Sequence, residues 1–391
     1  MKYYAYKCDG NIAVDDTILV KDIPATAGSK ILDGFKPLFS AEAVVRLENK
    51  GYKIAGKTNV GEFGLDLVGE FSHYGENDEE LKGAAAELVK SGEVKAALGV
   101  DMNGSTRRAA AISGVDFLKP TYGTVSRYGV ISCAASGEQL GVYAGNAEGI
   151  KEIMDVIAGH DDKDGTSLRN DKYDYTLSDV KGKKVCVVKE LFEKADATVQ
   201  ENINKAIEAL KANGAVVEEV SLDILDTANV AWQILMTAET CNNVSRYDGV
   251  KFGYRASEYK NIDELYVNSR TEGFNFLTKA VILYGSDVLS KNRYKDCYDK
   301  SLKVRRVIAD KFADIMKNYD AILTPACSKY SYKAYDIKEA FGKVFEESVF
   351  TAIANLIGTP ALVTSGVQLL GKHFDESTLL GLGAVIERKG E

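Results

Sequence analysis

Histidine is scarce in this chain: His73, His160 and His373 are the only three among 391 residues. There is no GxSxG elbow, so a Ser-His-Asp hydrolase is a poor fit. The six cysteines (Cys8, Cys133, Cys186, Cys241, Cys297 and Cys327) are scattered and form no CxxC pair. With so few histidines beside them, no metal site is expected, and free thiols in a reducing compartment are the simpler expectation. No apolar run reaches bilayer length, and Met1-Lys2-Tyr3-Tyr4 opens no apolar signal region. A cytoplasmic protein without membrane contact is therefore expected. An excess of positive charge is missing too. The net charge of −8 argues against a chain that grips nucleic acid through its own surface. Internal repeats and low-complexity tracts are absent.

What is present is ordinary for a globular chain: 45% hydrophobic and 27% charged residues. Helices are expected at 41–50, 84–90, from Ser105 to Ile112, at 147–158, 199–213 and about 376–386. Strands are expected at 53–55, 94–99, 184–189, 215–220, 321–324 and 361–364. This alternation predicts an α/β fold with a mixed or parallel sheet. Residues 227–317 read as mostly helical. Within them 286–317 shows long helical periodicity and dense charge, best read as a solvated surface helix.

Gly51 to Thr58 fits the P-loop pattern GxxxxGK[ST]. A phosphate-binding loop needs a strand before its first glycine and a helix after its Ser/Thr. Here a helix precedes Gly51, the strand falls inside the loop, and glycines follow Thr58. Gly51 reads better as a helix C-cap.

A serine can be activated without histidine by a neutral, desolvated lysine. Asp101-Met102-Asn103-Gly104-Ser105-Thr106-Arg107 follows an apolar strand and opens a small-residue helix. There Ser105 would sit at the positive end of a helix dipole. Amides of Met102, Asn103 and Gly104, with that of Ser105, would face a developing oxyanion. An N-cap serine is the structural alternative. Lys21 ends the apolar stretch Thr17 to Val20, which would hold it at the end of a buried strand. An ordinary surface lysine is the alternative.

Leu118 to Val130 (LKPTYGTVSRYGV) resembles the core of the amidase-signature family, especially the A subunits of glutamine-dependent tRNA amidotransferases. Gly56 to Asn59, Glu62-Phe63, Ile157 to Asp161, Asp164, Lys303 to Arg306, Tyr319 to Ile322 and Gly371 to Glu376 continue the match in order. The resemblance implies the amidase-signature fold, a central mixed β-sheet covered by helices on both faces. It covers one domain over residues 1–391, with the family's N-terminal helical segment absent.

The resemblance also implies chemistry. A Ser-Ser-Lys triad hydrolyses the glutamine side-chain amide and supplies ammonia for tRNA-dependent transamidation. Lys21 matches the base in the family's apolar-Lys-Asp motif, and Ser105 matches the nucleophile. The relay serine, 24 residues before the nucleophile, falls on Leu81, followed by Lys82 in place of a second serine. Of that loop's glycines and serines only Gly83 remains. Ser72 lies near the shortened segment, but the relay role needs the loop's own glycines for its backbone. The arginine pair that holds the glutamine carboxylate aligns with Ala280-Val281, and an acidic substrate contact aligns near Ser348. The expectation is an impaired amidase, or an inactive paralogue serving as a scaffold. Partners resembling the B and C subunits are implied, with tRNA bound only by the complex and a small amide as substrate. No cofactor is implied, since that complex uses magnesium in another subunit.

Overall fold

Short segments, most of them buried at every residue because both faces of the sheet are covered, pair into one eleven-stranded mixed sheet among the described residues. The computed structural model describes residues 3–75, 79–169 and 173–387. Its strands are β1 (Tyr4–Lys7), β2 (Ile12–Asp15), β3 (Ile54–Thr58), β4 (Ala96–Asp101), β5 (Asp116–Lys119), β6 (Gln139–Ala144), β7 (Lys184–Val188), β8 (Val216–Val220), β9 (Ala321–Pro325), β10 (Ala361–Thr364) and β11 (Val367–Gly371). Across the sheet they run β1-β3-β2-β4-β6-β5-β10-β11-β9-β7-β8. β2 lies parallel to β3 and β4, and β7 lies parallel to β8 and β9. Parallel neighbours need long crossovers. The helices Glu42–Asn49 and Ala197–Ala212 lie in those joining β2 to β3 and β7 to β8.

Side chains on a strand alternate between faces. Ile12 and Val14 of β2, Leu98 of β4 and Val142 of β6 enter one core. The helices Glu42–Asn49, Ala147–Ile157, Ala197–Ala212 and Glu376–Glu387 supply its other wall. Ala13, Ala97, Phe117 and Tyr143 enter the opposite core, against the helices Ala84–Lys90 and Ser105–Ser113. Further along that face the helices Leu225–Val244, Phe276–Val288 and Ala352–Ile357 pack on Ile322 and Leu370. Helices therefore cover both faces of the sheet.

Most expected elements are present with ends shifted by one to three residues, as fraying ends allow. β1, β2, β5, β6 and β11 are strands that local pattern does not announce. The segment 286–317 is not one helix. Phe276–Val288 ends within it, a wide turn of helix spans Lys295–Asp299, and Lys300–Ile315 follows. Only Ser301, Ile308 and Phe312 of that last helix are buried, so its dense charge does face solvent. Within the P-loop-like segment β3 occupies Ile54–Thr58, and Gly51 has φ +95° just past the helix Glu42–Asn49. Among the described residues no helix is long and apolar enough to cross a membrane.

Candidate active site

Where β4 ends, the chain turns through Met102, Asn103 and Gly104 into the helix Ser105–Ser113. Gly104 has φ +78°, and a Cβ there would lie 2.3 Å from Thr351 Cβ, so both backbone angle and space require glycine. Asp101 anchors the turn from below. Its carboxylate accepts from Arg107 Nε at 2.8 Å and Nη2 at 3.0 Å, from Thr106 Oγ1 at 2.6 Å and from Asn355 Nδ2 at 2.7 Å. Burial opposes ionisation, but Arg107 and these donors hold the carboxyl well below the usual range. The Asn103 carbonyl accepts from Arg108 Nη2 at 3.0 Å and Thr351 Oγ1 at 3.2 Å. Its side-chain oxygen accepts from Trp232 Nε1 at 3.1 Å and Gln233 Nε2 at 3.2 Å. Asn103 is thus a structural post under the turn. The turn places Ser105 at a helix N-terminus, beside a narrow cleft that Ser105 and Met102 help to line.

The cleft has a volume of about 40 Å³. Asp15, Thr17, Asp66, Gly83, Val100, Thr106 and Tyr143 also line it. Asp15 is the last residue of β2, on the same face as Ala13. Its carboxylate accepts from Val100 N at 2.9 Å and Thr58 Oγ1 at 3.1 Å. Burial pushes its carboxyl up to about 7, against the pull of these donors and of Lys57. The Lys57 ammonium is fully buried, 3.3 Å from Asp16 Oδ1, and burial pulls its pKa down. Asp66 is also raised, by burial and by nearby Glu70.

Lys21 is not in this cleft. β2 stops at Asp15 and a turn follows at Asp16-Thr17, so Thr17 to Val20 is not a strand. Lys21 emerges beyond it, exposed, with its amide donating to Ser40 Oγ at 3.0 Å. The strand end beside Ser105 carries Asp15, within Ala13-Val14-Asp15-Asp16. This repeats the apolar-X-Asp pattern with an acid where the lysine would stand. Leu81 is buried in an apolar cluster with Leu67, Val68 and Ala85, and its amide donates to Tyr332 O at 2.8 Å. It does not line the cleft, whereas Gly83 does. A Cβ on Gly83 would lie 2.3 Å from Ala109 Cβ, so close helix packing accounts for that glycine. Ser72 lines a different pocket, of about 400 Å³, with Glu62 and Asn275. Val281 is buried against the long central helices. Ser348 Oγ donates to Val344 O at 2.5 Å. Sequence reasoning passes over Asp15, Thr17 and Asp66. The paired acids Asp15-Asp16 closing an apolar run are the available signal.

A sheet whose central turn sets a serine at a helix N-terminus, in a buried polar frame, is an amidase-type scaffold. The chain belongs to the amidase family: the family model "Amidase" matches residues 11–380. The A subunit of glutamyl-tRNA(Gln) amidotransferase from Sulfurihydrogenibium sp. is 37% identical over 94% of this chain and 81% of the relative. The protein of the same name from Lactobacillus johnsonii is 35% identical over 97% of this chain and 84% of its own. Among solved structures, the Thermotoga maritima protein of that name superposes with TM-score 0.78 at 29% identity, over 97% of this chain and 82% of that one. The peptide amidase of Stenotrophomonas maltophilia shares the fold, with TM-score 0.78 at 21% identity over 97% and 82%.

Proposed function

We propose that this chain is a divergent amidotransferase A-like protein that does not hydrolyse glutamine at the family's rate and serves chiefly as a binding subunit. The observation that carries this reading is the composition of the Ser105 cleft: Asp15 stands at the strand end, and among the described residues no lysine lines the cleft. Nucleophile activation needs a base that accepts the serine proton within about 2.6–3.2 Å, directly or through a relay. Lys21 is exposed and Leu81 is apolar, so neither fills that role. Loss of positioned proton transfer costs about 10²- to 10⁴-fold. The cleft also has room for only about three water-sized groups, too few for a glutamine side chain. What the site retains is the turn through Met102, Asn103 and Gly104 and its buried frame.

The reading takes residues 1–391 as one domain, supported by a single continuous sheet. It places the chain in the cytoplasm, in a complex with B- and C-like subunits that would carry any tRNA contact. The relatives' shared name supports that assembly. The alternative is a residual amidase with Ser105 as nucleophile. It requires Asp15, with its raised pKa, to act as base.

The deciding measurement is ammonia release from glutamine, asparagine and simple primary amides by the purified chain and by Ser105→Ala. The expected outcome is no release above that of the variant. Release that vanishes in Ser105→Ala would establish a working nucleophile and overturn the reading.

A further inference from the structure

The cleft beside Ser105 is small, acidic and incompletely hydrogen-bonded. Asp15 and Asp66 line it with Thr17 and Ser105. Thr17 is buried, with 6% of the residue exposed, and its hydroxyl oxygen is buried without a hydrogen-bond partner among the described residues. Buried hydroxyls without a partner are rare and call for an occupant. The nearby cations are committed elsewhere. Lys57 faces Asp16. Arg107 pairs with Asp101. Arg108 donates to Leu67 O, Thr351 Oγ1 and Asn103 O. An anionic ligand, such as an amino-acid carboxylate, would meet two acids and, among the described residues lining the cleft, no positive charge. A divalent metal is disfavoured as well: among the described residues no group of three or more His, Cys, Asp or Glu is arranged to hold one.

We propose that this cleft binds a small ammonium ion, ammonium itself or an amine little larger, between the Asp15 carboxylate and the Thr17 hydroxyl. Three features favour that ligand. A volume of about 40 Å³ has room for only about three water-sized groups, which fits ammonium or an amine little larger. The ion's N–H groups donate to acceptors, which carboxylate and hydroxyl oxygens supply. Its charge balances a carboxylate that has no ion-pair partner within salt-bridge distance among the described residues. Asp15 faces Thr58 and Lys57 of β3, the Val100 amide of β4, Tyr143 of β6 and its neighbour Asp16. Binding requires its ionised form, so the site tightens as pH rises above 7. The inference deepens the binding-subunit reading but involves no turnover, so the two fail separately.

The test is thermal unfolding of the full chain at pH 8 and constant ionic strength, in ammonium, methylammonium, potassium, sodium and tetramethylammonium chlorides. Line broadening of ¹⁵N-ammonium by the protein gives an independent readout. A midpoint about 1–2 °C higher in ammonium than in sodium or tetramethylammonium is expected, together with broadening. Asp15→Asn should abolish both effects, and Thr17→Val should weaken them. Equal midpoints in all salts without broadening would mean that only water occupies the cleft. Equal stabilisation by potassium would remove the role of N–H donors. Either result overturns the proposal, as does an undiminished response in Asp15→Asn.

Discussion

Asp15 is the residue on which the cleft's electrostatics turn. It is buried at the wall of the cleft, and burial raises its pKa to about 7. An unfolded aspartate ionises near pH ~4. Between those values the folded state holds a proton that the unfolded state has released, so stability contributed below pH ~4 is lost as pH rises to about 7. Asp15→Asn removes the charge and keeps an oxygen to accept from Val100 N. That variant should be more stable than the parent at pH 8, by on the order of a few kcal/mol, and nearly equal to it below pH ~4. Urea unfolding at both pH values checks this. No such pH-dependent gain would show that Asp15 does not ionise under strain.

The element that makes the site is the turn from β4 into the helix Ser105–Ser113. Asp101 and Arg107 close it with two hydrogen bonds in an environment without solvent. Removing one partner leaves a buried charge uncompensated, so Arg107→Ala should cost about 3–5 kcal/mol, measured by denaturant unfolding. Gly104→Ala should cost more than ~1 kcal/mol, since alanine disfavours positive φ and its Cβ meets Thr351. The turn itself is readable, because an apolar run followed by Asp, Gly, Ser and a small-residue run gives strand, turn and helix from local chemistry alone. β2 is not: its four residues are too short a run to outweigh the longer apolar stretch behind them. Local pattern therefore puts Lys21 at a strand end that Asp15 in fact occupies. Leucine at position 81 is plain in the sequence, but its surroundings are not. Its burial among Leu67, Val68 and Ala85 depends on chain segments brought together by the fold.

At the scale of the whole molecule, the net charge of −8 sets what the chain does alone. With this excess of negative charge, the isolated protein should show no retention of tRNA in a filter-binding assay at physiological salt. Retention should appear only with B- and C-like subunits present. Retention by the isolated chain, diminishing steeply with salt, would show a basic surface that the overall charge conceals.

Composition and local pattern determined the α/β class, the helix and strand types over most of the chain, the turn that carries Ser105 and the absence of a serine at position 81. Those features rest on neighbours within a few residues, where backbone preference and burial period act. Tertiary structure alone decided that Asp15, Thr17 and Asp66 share a cleft with Ser105 and that Lys21 stays outside it. β2 lies between β3 and β4, so its end meets a helix nearly a hundred residues later in the chain. Register fixes which side chain a strand end presents, and pairing between distant strands sets that register.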